Sequence, residues 1–375
     1  MAMNNIMGSV PYPAYPLPGY TNTVTRRTWM TGAMLAAAAP VPLRLPRKVR
    51  LAILGLEGHV GEILEPLPLL PDVELVALAD RDAKLLASTA RRPAAAHARQ
   101  YLDYRDLLER EPLDVAAICG TNGERAGAIL ACAARKIHVA AEKPLAIERA
   151  ELERVKRAVA DGGIRLTMLL PMRFEPPYAA MRRIVAAGRI GEVAQIAAQK
   201  SYKLGERPEW MRHRATFGGA IPYIGIHMVD LIRFIGGRDL VEAVSFEARV
   251  GFPEMEDFEN TTATLFRLDN GGTAALHLDY LRPEAAPTHG DDRLRLAGTR
   301  GILEFQENAG LTLMTADDPP RAIDDLPPAR RLFLDFLDFV YNGTPAGLGL
   351  PEIYRANEIV LAARESAERR TIVRT

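Results

Sequence analysis

In the first part of the chain, short and nearly continuous apolar runs alternate with windows in which apolar residues recur every three or four positions. The runs at Val49–Leu54 (VRLAIL), 73–79 (VELVALA), 115–119 (VAAIC) and 138–141 (HVAA) read as strands buried on both faces. Each ends in turn or polar residues: Gly55, Asp80, Gly120 and Glu142. Helical spacing fills the intervals, as in RAGAILACAARK at 125–136, so the alternation predicts parallel strands joined by crossover helices. Beyond Ile164 the period shortens to two. The stretches 192–202, 241–250, 260–280 and 292–306 alternate apolar with polar positions, as strands with one wet face do. Asn270 to Gly272 mark a hairpin turn, and a proline-started helix follows Arg173 and ends at Gly188 or Gly191. From Pro351 onward a last amphipathic helix runs toward the C-terminus.

The predicted class is therefore α/β: an N-terminal doubly wound parallel sheet, then an α+β domain with a large, mainly antiparallel sheet. The expected divisions are a leader at 1–46, the first domain at 47–165, the second at 166–350, and a helix at 351–375 packing back on the body. Length supports two cores, because 375 residues exceed what one core usually fills. Composition is that of a globular chain, with 48% apolar and 25% charged residues.

Lysine plus arginine equals aspartate plus glutamate at 47 each. That balance leaves no field to recruit nucleic acid or an anionic membrane, and directs attention to small-molecule partners. Cys119 and Cys132 stand in neither metal-binding nor redox spacing and are expected to be buried packing residues. His97, His138, His277 and His289 are scattered, and no metal is expected. The leader differs from the rest. TRRTWMTGAMLAAAA at 25–39 sets Arg26 and Arg27 before a short alanine-rich run and resembles a twin-arginine export signal, which implies a periplasmic protein. The run is shorter than the roughly 20 residues of a membrane span. No later stretch reaches that length without charges, so no span is expected.

The turn after the first strand is where chemistry enters. A dinucleotide fingerprint places glycines for the tight turn, for approach of backbone to the pyrophosphate and for helix packing, with an acidic residue on the ribose. Here Gly55 opens the turn, Glu57 takes the position of the second glycine and Val60 that of the third, with Gly58 and His59 between them. Asp80 favours a free ribose hydroxyl and hence NAD, whereas Arg81 beside it could accept the 2′-phosphate of NADP. This is a Rossmann pattern with departures.

The stretch 116–146, AAICGTNGERAGAILACAARKIHVAAEKPLA, is similar in spacing to the Gfo/Idh/MocA oxidoreductases, with Asn122, His138, Val139, Glu142, Lys143 and Pro144 in register. Gly120, Thr121 and Arg125 depart from the usual Thr, Pro and His. A second segment, GGAIPYIGIHMVDLIRFIGG at 218–237, resembles the same family through Gly225, His227 and Asp230, with Tyr223 where an aspartate is common. The resemblance extends over about residues 47–375 and includes RFEPPY from Arg173. It implies an NAD(P)-dependent oxidoreductase acting on a hydroxyl of a sugar or sugar derivative, with tightly held cofactor and a homo-oligomeric assembly. It further implies cofactor contacts at Gly120, Thr121, Asn122, Glu142 and Lys143, and substrate contacts at Arg173, Tyr223, His227 and Asp230.

Lys143 is expected at the carboxyl end of a strand, where desolvation lowers an ammonium pKa. His227 is expected to be the main acid/base, Lys143 its orienter and proton partner, and Tyr223 a third member through its hydroxyl. Trp210, Arg212, His213 and Arg214 are further candidates for the pocket wall. Two other classes remain open: a glycoside hydrolase that uses NAD transiently for oxidation and elimination, and a dinucleotide or sugar sensor without turnover.

Overall fold

The structure, a computed structural model, describes residues 41–375; the export-signal segment at 25–39 lies outside the described residues. Six strands form the first sheet: β1 (Val49–Leu54), β2 (Val73–Ala79), β3 (Arg99–Tyr101), β4 (Val115–Ile118), β5 (His138–Ala141) and β6 (Leu166–Met168). Their order is β3-β2-β1-β4-β5-β6, all parallel. Helices cover both faces, which is why β1, β2, β4 and β5 are apolar almost throughout. The strand order reverses direction between β1 and β4, and a crevice opens beyond their carboxyl ends. The short β6 pairs with β5 through Val139 and Leu166, so the first sheet continues past the expected division at 165.

Nine strands form the second sheet: β7 (Val193–Lys203), β8 (Leu240–Ala248), β9 (Thr261–Leu268), β10 (Thr273–Arg282), β11 (Gly290–Gly298), β12 (Gly301–Gln306), β13 (Gly310–Thr315), β14 (Arg321–Ala322) and β15 (Val373–Arg374). They lie in the order β14-β13-β12-β11-β7-β10-β9-β8-β15. Every pair is antiparallel except β7 with β10, so the sheet is mixed and mostly antiparallel. One face packs on the helix Ile226–Gly236, where Gly236 lets Ile196 and Leu296 approach. The other face carries Phe246 and Leu265, which are 68% and 60% exposed.

The helical run Arg214–Gly236 spans 23 residues with a mean hydropathy of 1.3, long and apolar enough by length and composition to cross a membrane. The run carries Arg214, Asp230 and Arg233, so the expectation that no stretch of that length is free of charges holds. Its apolarity is accounted for by packing, because 83% of the run's most apolar window is buried inside the structure.

The last helix, Leu350–Arg369, ties the two halves together. Asn357 accepts the Leu145 backbone N–H at 2.9 Å, and the Arg364 guanidinium donates to the carbonyls of Ile147 (2.6 Å) and Gly218 (3.1 Å). Beyond it, β15 adds an edge strand to β8, a pairing too short to leave a sequence period. Cys119 and Cys132 are both buried and free.

Candidate active site

Two βα turns meet at the mouth of the crevice. Gly55 has φ +82°, and a Cβ there would fall 2.3 Å from Gly120 Cα, so the first turn tolerates no side chain at this point. Gly58, at φ +59°, abuts the Glu142 carboxylate in the same way, and Gly61 is the first residue of the next helix. The close approaches therefore belong to Gly55 and Gly58, not to positions 57 and 60. Glu57 is an extra residue in the turn, and its carboxylate accepts the indole N–H of Trp210 at 2.6 Å. Burial raises its pKa against the lowering effect of Trp210, and Asp80 adds to the rise.

Beside this turn lies a cleft of about 210 Å³ lined by Gly55, Glu57, Asp80, Arg81, Thr121 and Arg125, among others. Asp80 holds the rim, its carboxylate accepting the backbone N–H groups of Leu56 and Asp82, each at 2.8 Å. Arg81 turns to Glu124, 2.7 Å away. Thr121 stands at the N-terminus of the helix Asn122–Ala134, which presents free N–H groups and a positive dipole end to the cleft. Asn122 donates to the Phe217 carbonyl at 2.7 Å, while its Oδ1 is buried without a partner.

A second, narrow opening connects Glu57, Gly58, Asn122, Arg125 and Glu142 to Trp210 and Tyr223. Glu142, at the end of β5, accepts from the His59 backbone and lies 2.7 Å from the His59 ring Nδ1. Burial would raise its carboxyl, but His59 by charge and hydrogen bond, with Lys143 and Arg125, holds it well below the usual carboxylate range. Lys143 follows, joined to Pro144 by a cis peptide and buried, its Nζ 3.5 Å from the centre of the Tyr223 ring. Burial lowers its pKa to about 7 against the upward pull of Glu142, with Arg125, Lys200 and Arg207 adding to the fall.

Tyr223 lies in a π-helical turn, Ile221–Gly225, that runs into the helix bearing His227. Such turns recur at functional sites because they shift one side chain out of helical register. Burial, then Glu142, pushes the Tyr223 phenol up to about 12, so its hydroxyl stays a donor. His227 sits edge-on to His59 with ring centres 5.4 Å apart, and its Nδ1 is buried without a partner. Burial, then Lys143 and Lys200, carries its pKa well below the ordinary histidine value.

Two expected substrate contacts are corrected. Arg173 and Asp230 form a buried ion pair with each other. The remaining Arg173 donor goes to Gly347 and Glu352, at 3.0 and 3.1 Å. An inward-facing charge pair with its hydrogen bonds filled has no group left for a substrate. Nor is Asp230 available to orient His227. His213 faces Glu209 and Glu256 in a surface cluster, Arg212 reaches Glu209, and Arg214 pairs with Glu247 and Glu259. Of that group only Trp210 reaches the opening.

Residues 49–169 match the oxidoreductase family with NAD-binding Rossmann fold, and residues 178–304 match the GFO/IDH/MocA C-terminal domain. The chain belongs to the Gfo/Idh/MocA oxidoreductase family. Relatives of this Gfo/Idh/MocA chain include the oxidoreductase YrbE of Bacillus subtilis, 26% identical over 68% of this chain and 73% of its own. Another is the myo-inositol 2-dehydrogenase of Thermotoga maritima, 24% identical over 72% and 78% respectively. A solved Thermotoga maritima oxidoreductase superposes with a TM-score of 0.81 at 29% identity, over 87% of this chain and all of that one.

The residues present fit the dinucleotide of a Gfo/Idh/MocA oxidoreductase. The orphaned Asn122 Oδ1, the helix N-terminus at Thr121 and the Asp80 carboxylate would hold its carboxamide, phosphates and ribose, respectively. NAD is the better match, since Arg81 is engaged by Glu124. Four residues near the site were given no site role from the sequence: Arg125, seen only as a departure from the motif, Lys200, Arg207 and Tyr280. Arg125 donates to the carbonyls of Pro144 and Gly120, both at 2.7 Å, and locks the two turns together. Lys200 and Tyr280 occupy the buried phase of β7 and β10 among alanine, isoleucine and leucine. A lysine on that phase was the available signal, because an unpaired buried lysine is rare. Arg207, in a loop, carried none.

Proposed function

We propose that this oxidoreductase oxidises a hydroxyl of a sugar or sugar derivative, with Lys143 taking the hydroxyl proton and the nicotinamide supplying the hydride acceptor. The observation that carries the reading is Lys143 itself. It is a buried amine with a pKa of about 7, at the carboxyl end of a strand and next to Glu142 and Tyr223 of the narrow opening, and a general base works best when its pKa lies near the working pH. The roles of the two basic residues are therefore exchanged from the sequence expectation. His227 has no carboxylate among the described residues to hold an imidazolium, stays neutral, and positions the hydroxyl by hydrogen bonding. Tyr223 keeps its proton and steadies the ammonium form of Lys143 through its ring. The polyhydroxy substrates named for the relatives, myo-inositol and D-xylose, support the substrate class.

Export through the twin-arginine-like leader is part of the same proposal, because that route carries folded proteins and lets a tightly held cofactor travel inside. A homo-oligomer joined through the outer sheet face is supported by the exposed Phe246 and Leu265.

The test is to add a panel of sugars to the purified, NAD-loaded protein and follow reduced-nicotinamide absorbance. Lys143→Met should retain NAD and lose at least about a hundredfold in turnover. Undiminished turnover in that variant would remove Lys143 from the reaction.

A further inference from the structure

The site holds more cations than its carboxylates engage. Beyond burial, the charges of Arg125, Lys200 and Arg207 lower the pKa of the Lys143 amine. Arg125 is committed to two backbone carbonyls, and Lys200 to Asp292 at 2.7 Å. Arg207 is different. It lies in the loop after β7, donates through Nη2 to the Lys203 carbonyl at 2.8 Å, and makes no ion pair among the described residues. Its Nε is buried without a partner, and its guanidinium lies 4.9 Å from the centre of the Tyr280 ring.

Tyr280 is 1% exposed, and its hydroxyl too has no hydrogen-bond partner. The aromatic groups continue from it to Lys143: Tyr280 meets Phe258 at 4.7 Å, Phe258 stacks on Phe217 at 5.2 Å, and Phe217 meets Tyr223 at 5.1 Å. Native proteins seldom leave buried polar atoms unpaired. Here two of them, the Arg207 Nε and the Tyr280 hydroxyl, lie on neighbouring side chains on the second-domain side of the proton-accepting lysine.

We propose that Arg207, with the Tyr280 hydroxyl, forms an anion subsite for a carboxylate on the substrate, so that the preferred substrate is a sugar acid. This rests on the oxidoreductase reading of the Lys143 site and names its substrate class. A carboxylate matches the planar fork of a single guanidinium. A phosphate ester would call for a second standing cation, and Lys200 is already engaged by Asp292.

The experiment assays the NAD-loaded protein on matched probes: glucose with glucuronate, galactose with galacturonate, and glucose 6-phosphate. Each uronate should exceed its neutral partner at least tenfold in kcat/KM. Arg207→Gln should raise the uronate KM by about thirtyfold while changing kcat far less, as loss of a charged hydrogen bond predicts, and Arg207→Lys should recover part of it. In parallel, glucuronate is titrated calorimetrically into Lys143→Met and into the double variant Lys143→Met/Arg207→Gln, with binding expected only in the first. Equal use of neutral sugars and uronates, with KM unmoved in both Arg207 variants, overturns the subsite and leaves the oxidoreductase reading standing. Preference for glucose 6-phosphate over glucuronate also overturns it. Glucuronate binding to Lys143→Met that is lost in the double variant, with no NAD reduction by the parent protein on any probe, supports the subsite and overturns the oxidation.

Discussion

Lys143 shows how one residue's environment sets the chemistry. In the unfolded chain its amine has the ordinary value of 10.5, and in the fold about 7. As a base it must be deprotonated, so the rate of NAD reduction should climb as pH rises through about 7 and level off above, in single-turnover measurements. Stability carries the same sign. Between about 7 and 10.5 the unfolded chain binds a proton that the folded lysine does not, so stability rises with pH across that window, and Lys143→Met should flatten this part of the urea-unfolding profile. Glu57 makes the opposite kind of prediction. Its carboxylate lines the cleft where a diphosphate must pass, so Glu57→Gln should tighten NAD binding roughly fivefold in a fluorescence titration, the effect of removing one like charge at partly solvated range. At this scale Lys143 was legible because its spacing to Asn122 and Pro144 is preserved. Burial, the main cause of its lowered pKa, was expected from that address, whereas the further push from Lys200 and Arg207 was not legible, since those groups lie far away in sequence.

Among the elements, the strands of the first sheet were legible because burial on both faces leaves an apolar run that only a parallel sheet explains. The strands β3, β6, β14 and β15, of two or three residues, were not, since a period needs more positions to register. The helix Ile226–Gly236 was expected to offer both His227 and Asp230 to the site, yet the Asp230 carboxylate is taken up by Arg173. Asp230→Asn should therefore act on stability, costing about 3 kcal/mol by urea unfolding, because it weakens the pairing of a buried guanidinium. In place of the usual aspartate, the π-helical turn at Ile221–Gly225 sets Tyr223 over Lys143, a displacement that no spacing rule foretells.

In the molecule as a whole, the site exists only because two domains are held at a fixed distance. Asn122 bonded to Phe217, Leu145 to Asn357, Arg364 to Ile147 and Gly218, and Glu57 to Trp210 all cross between sequence-distant segments. Assembly belongs to this scale too. If the outer sheet face joins copies of the chain, Phe246→Glu with Leu265→Glu should lower the mass seen by sedimentation equilibrium, while the melting curve of the parallel-sheet domain stays in place. By itself the sequence determined the two architectures, the dinucleotide turn and the address of Lys143, because local periodicity and turn chemistry act over neighbouring residues. Only the tertiary structure decided that Asp230 serves Arg173, that Glu57 meets Trp210, and that Arg207 is left without an acidic partner among the described residues. Pairing between charges is settled by distance in space, and distance in space is what a sequence does not print.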